Sequence, residues 1–79
     1  MKDIHLTAEH RTILNHFGIH EDERLSADDL QLSTNIEPVK VNLILFDLVS
    51  HGLLQKIEQD DYEWGLYILS EAGRKFLQD

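Results

Sequence analysis

The clearest pattern in the chain is Val41, Ile44, Leu45, Leu48 and Val49, spaced i, i+3, i+4, i+7, i+8. That is the spacing of one buried helix face. Pro38 sits where a first-turn proline is tolerated and Gly52 follows the last apolar position, so a helix is predicted over about 37–51. Ile13, Leu14 and Phe17 mark a second such face. Thr7 is a good N-cap and Gly18 a natural stop, which predicts a helix over about 8–17. Ser26-Ala27-Asp28-Asp29 is a capping box with Asp in place of Glu. It opens a short helix over about 27–32 carrying Ala27 and Leu30, and Ser33-Thr34-Asn35 is turn chemistry. Arg24-Leu25 reads as a very short strand, 53–57 and 66–69 as two longer ones, and Glu58 to Gly65 as the polar tip between them. Ser70 then caps a short final helix over about 71–77, with Phe76 and Leu77 turned inward.

Size and composition narrow what this order of elements can be. The chain has 79 residues, which fits one small domain with a marginal core, so a spare apolar face would matter. Hydrophobic residues are 42 %, too many for a disordered acidic tail. The longest apolar run, Leu43 to Phe46, has four residues, so no membrane span is expected. No signal peptide opens the chain, and the absence of Cys fits a reducing cytoplasm while removing disulfides and thiolate metal sites. With 7 Lys and Arg against 15 Asp and Glu the net charge is −8, which argues against a purely electrostatic grip on nucleic acid.

Two stretches then carry a family resemblance. Leu48-Val49-Ser50-His51-Gly52-Leu53-Leu54-Gln55-Lys56 resembles the end of the third helix of a winged helix-turn-helix domain where it enters the wing. Tyr67-Ile68-Leu69-Ser70-Glu71-Ala72-Gly73-Arg74-Lys75-Phe76-Leu77 resembles the second wing strand and following helix of small MarR-like transcription regulators, with Ser70 where that family often has Thr in Leu-Thr-x-x-Gly. The resemblance runs from Leu6 to Leu77. It implies an α+β fold: a three-helix core, a small antiparallel sheet forming the wing, and a short C-terminal helix. It also implies DNA binding by the third helix in a major groove, with the wing tip at a neighbouring phosphate or minor groove.

The residues qualify that implication. At about 100° per residue the core stripe of the third helix leaves Val39, Leu43, Phe46 and Ser50 on the opposite face. A base-reading face normally offers Arg, Lys, Asn or Gln. Lys40 and Asn42 lie to the sides, with Glu37 and Asp47, and the polar DNA contacts of such a helix would be Lys40, Asn42, Ser50 and His51. Val39, Leu43 and Phe46 are either buried by a neighbouring element or an apolar docking surface for a second copy or another protein. Glu58 to Gly65 holds four acidic residues and no basic one, a poor phosphate clamp. Tyr62 and Trp64 either pack beside Tyr67 or form an aromatic anchor for a partner. The basic residues are scattered, though Arg11, Lys40 and Lys56 could meet in space.

Catalytic chemistry is not written in the chain. No nucleophile–base pairing or glycine-rich phosphate loop occurs, and the adjacent pairs Asp28-Asp29 and Asp60-Asp61 point apart, so no enzyme is expected. Of the histidines, His16 and His20 have i, i+4 spacing, but a helix ending at Gly18 would separate them. No metal site and no cofactor are expected. Two functions remain: a DNA-binding transcription regulator acting as a dimer, or an acidic protein-interaction module binding itself or a basic partner.

Overall fold

A computed structural model describes residues 6–20, 23–59 and 62–78, the side chains of 59 and 62–64 excepted. The elements run α1 (Ala8–Ile19), α2 (Ala27–Thr34), α3 (Pro38–Ser50), β1 (Leu54–Gln59), β2 (Tyr62–Leu69) and α4 (Glu71–Gln78). The result is a three-helix core with an antiparallel hairpin and a terminal helix, the winged helix-turn-helix arrangement.

Each helix begins as its sequence dictates. The Thr7 hydroxyl accepts the backbone N–H of His10 at 3.2 Å. At α2 the capping box is complete: Ser26 Oγ accepts the Asp29 N–H at 3.2 Å, and the Asp29 carboxylate accepts the Ser26 N–H at 3.0 Å. Pro38 opens α3, where its missing N–H costs nothing. At the other end Gly52 has φ +76°, and its N–H and that of Leu53 bond back to the carbonyls of Val49 and Leu48, both at 2.9 Å. This Schellman ending turns the chain from α3 directly into the wing.

Two helix ends differ from expectation. Instead of stopping α1 before it, Gly18 lies inside a helix that continues to Ile19, capped by His20. A Cβ on Gly18 would stand 2.7 Å from Leu77 Cδ1, so the glycine lets α4 lie close rather than ending the turn. The extra residues also bring the His16 and His20 rings to 5.0 Å between centroids, where a break at Gly18 would have separated them. Helix α2 takes in Ser33 and Thr34, the Thr34 hydroxyl donating to the Leu30 carbonyl at 2.6 Å, and the turn falls on Asn35 at φ 59°. Asn tolerates this left-handed conformation better than most residues.

The sheet is longer than the apolar runs suggest, because the polar residues toward the tip also pair. Leu54 faces Leu69, Lys56 faces Tyr67 and Ile57 faces Leu66, with an irregularity before Gln59 pairs Tyr62. Gly65, at φ +80°, lies in that irregular stretch. Leu25 exchanges two backbone hydrogen bonds with Tyr67, both 2.8 Å, which makes the Arg24-Leu25 segment a one-residue third strand. Ile13, Leu14, Phe17, Leu30, Val41, Leu45 and Leu48 are fully buried between the helices, and Leu53 just before β1 closes the core together with Leu54, Tyr67 and Leu69 of the sheet. Phe76 and Leu77 of α4 pack against it, partly buried. Among the described residues no helix is long and apolar enough to cross a membrane.

Candidate functional site

The buried stripe of α3 is Val41, Ile44, Leu45 and Leu48. One helix cannot bury both faces against the same core, so the opposite face must meet something else or remain bare. It is bare: Val39 is 69 %, Leu43 61 % and Phe46 69 % exposed. Among the described residues no neighbouring element covers these side chains. Ser50 continues the same face toward the C-terminal end, its hydroxyl donating to the Phe46 carbonyl at 2.9 Å.

Both flanks of this strip are defined by the helices that hold α3 in place. On the side toward α1, Lys40 Nζ lies 3.7 Å from Glu9 Oε1. Further along, Asp47 Oδ2 lies 3.1 Å from His10 Nε2, while His10 Nδ1 lies 2.6 Å from the Thr7 hydroxyl. His10 thereby links the cap of α1 to the C-terminal half of α3. On the side toward α2, Asn42 and Pro38 share a shallow hollow of about 240 Å³ with Ala27, Asp28 and Gln31.

The four polar residues expected to touch DNA do not form one cluster. Lys40 and Asn42 lie in the N-terminal half of α3, on opposite flanks. Ser50 and His51 lie at its far end, roughly 12–15 Å away at about 1.5 Å per residue. All four side chains are exposed. Arg11, Lys40 and Lys56 sit on three different elements, α1, α3 and β1, and all three are exposed. Glu21, Asp22, Asp60 and Asp61 lie outside the described residues, as do the side chains of Tyr62 and Trp64. Among the described residues no three His, Asp or Glu side chains gather closely enough to hold a metal ion.

Two features escaped the sequence reading. The His10–Asp47 link joins residues on different helices, and only the α1–α3 packing brings them together. Leu32, on α2, is 85 % exposed. Its offset of two from Leu30 does place it off the buried face, and that signal was readable.

No protein-family model and no curated protein matches the sequence. Among solved structures the chain is similar to a mutant MarR from E. coli complexed with operator DNA, with TM-score 0.78 and 18 % identity over 92 % of this chain and 51 % of that one. It is also similar to the ferric uptake regulator from Francisella tularensis with iron, with TM-score 0.73 and 24 % identity over 90 % of this chain and 58 % of that one. The chain therefore spans a little over half the length of the structures it matches. The fold is a winged helix, α+β and MarR-like.

Proposed function

We propose that the protein is a cytoplasmic transcription regulator of the winged-helix class and that the outward face of α3 is its working surface. The observation that carries this reading is the bare face itself, on the second helix of a helix-turn-helix, in a fold shared with a regulator solved on operator DNA. In a major groove Lys40 and Asn42 would contact phosphate and base edges near the entry of α3, with Ser50 and His51 at its exit. Val39, Leu43 and Phe46 would offer apolar contacts of the kind thymine methyl groups accept. A dimer would supply two such helices to a two-fold site.

The chain brings little phosphate grip of its own. Lys40, the one Lys or Arg on α3, is engaged by Glu9, and the net charge is −8. Binding would therefore depend on groove fit more than on counterion release, and its salt dependence would be shallow. Fluorescence anisotropy with labelled promoter-sized duplexes tests this. Saturable binding at low salt that weakens in Lys40→Ala supports the reading, and no binding at low salt and high protein concentration contradicts it.

A second reading, contact with protein, is favoured by the chemistry of the same face. Three large apolar side chains with acidic neighbours suit a polypeptide better than a phosphate backbone.

A further inference from the structure

We infer that the Val39–Leu43–Phe46 strip of α3 docks an amphipathic helix whose apolar face is flanked by Lys or Arg, carried by a partner protein. The inference rests on the second reading above and names its partner by chemistry.

The apolar part follows from spacing. Val39, Leu43 and Phe46 stand at i, i+4 and i+7, a continuous ridge along two turns, and all three are more than half exposed. Such a ridge matches the i, i+3, i+4, i+7 anchors of a helix lying against it. Three exposed apolar side chains make up the patch, far fewer than the ~20–30 residues a side of a standard stable interface. It fits a single docked helix better than the whole interface of an obligate dimer.

The basic part follows from the borders. Asp47 flanks the ridge on the α1 side, its carboxylate 3.1 Å from His10 Nε2 and still about half exposed. Asp28 flanks it on the α2 side, exposed and lining the same hollow as Asn42. Lys40, on the α1 side, lies 3.7 Å from the Glu9 carboxylate. A second copy of this chain would bring a further −8 of net charge. Like charges facing one another across an interface are disfavoured, whereas a basic border is attracted. Because the docked helix covers the face that would enter a DNA groove, the two ligands exclude each other.

The test uses the full chain and a synthetic 14-residue peptide with Leu at i, i+3, i+4, i+7 spacing and Lys elsewhere. Titration calorimetry is run with wild type, Phe46→Ser and Leu43→Ser, folding being checked by circular dichroism. A control peptide carries Glu in place of Lys, and a second scrambles the Leu positions. The expected result is binding to wild type, a tenfold or greater loss in both variants, and no binding of either control. Equal binding of the Lys peptide to the variants, or of the scrambled or Glu peptide to wild type, overturns the inference. No binding to wild type overturns it too. So does concentration-dependent dimerisation that Phe46→Ser abolishes, which would make a second copy the occupant. A duplex titration run in parallel keeps the outcomes separate, since failure to bind DNA leaves the peptide result standing.

Discussion

Lys40 on α3 holds its ammonium 3.7 Å from the Glu9 carboxylate of α1, so the one Lys or Arg of α3 lies beside an acid of a neighbouring helix. Both side chains are about half exposed, and such pairs contribute only ~0–1 kcal/mol to stability. Lys40→Ala is therefore expected to leave the urea midpoint nearly unchanged. If DNA is bound, the same substitution lowers the slope of log affinity against log salt by about 1, because one phosphate contact is lost. A variant with unchanged slope would show that Lys40 stays with Glu9 and never reaches the backbone.

Gly73 and Gly18 both look like helix glycines, yet their replacement should differ. A Cβ on Gly73 would overlap the carbonyl oxygen of Leu53, a backbone atom already accepting the Ser70 N–H. Gly73→Ala is expected to cost about 2–3 kcal/mol, the scale of overpacking that side chains cannot relieve. At Gly18 the obstacle is the flexible end of Leu77. There the gain of ~1 kcal/mol in helix propensity offsets the shift, so Gly18→Ala should lie within about 1 kcal/mol of wild type. Urea unfolding of the two variants checks the contrast, and equal costs would contradict it.

Ser70 joins the end of α3 to the start of α4. Its hydroxyl donates to the Gly52 carbonyl at 2.5 Å and accepts the Gly73 N–H at 2.9 Å. Both bonds need only a β-hydroxyl, which Thr also carries. Ser70→Ala is expected to lose about 1–2 kcal/mol, and Ser70→Thr to stay within roughly 0.5 kcal/mol of wild type. Thermal melts of the pair decide it. A Thr variant as unstable as the Ala variant would mean that the site is limited by space rather than by hydrogen bonding.

These cases mark where the sequence speaks and where it is silent. Helix α3 was legible because an unbroken apolar period, Pro38 and Gly52 all agree on one element. The capping box at Ser26 and the wing entry at Gly52 were legible for the same local reason. Gly18 misled because a glycine serves a helix end and a close approach equally well. Only Leu77, far along the chain, distinguishes the two. The phase of α3 placed Val39, Leu43 and Phe46 away from the core, but whether another element covers them is a tertiary fact. The engagement of Lys40 by Glu9 and of Asp47 by His10 depends on how α1 crosses α3, which no local pattern encodes.

The outward face of α3 as the working surface is tested most directly by one comparison. Wild type and Phe46→Ser are titrated side by side, in the same low-salt buffer, with promoter-sized duplex and with the basic amphipathic peptide. Phe46 is 69 % exposed, so its replacement should leave the melting temperature almost unchanged. Burying such a side chain against a ligand is worth about 1.5–3 kcal/mol, so whichever ligand wild type binds should bind the variant ten- to a hundredfold more weakly. Equal affinity of the two proteins, or binding of neither ligand by wild type, would contradict the assignment of this face.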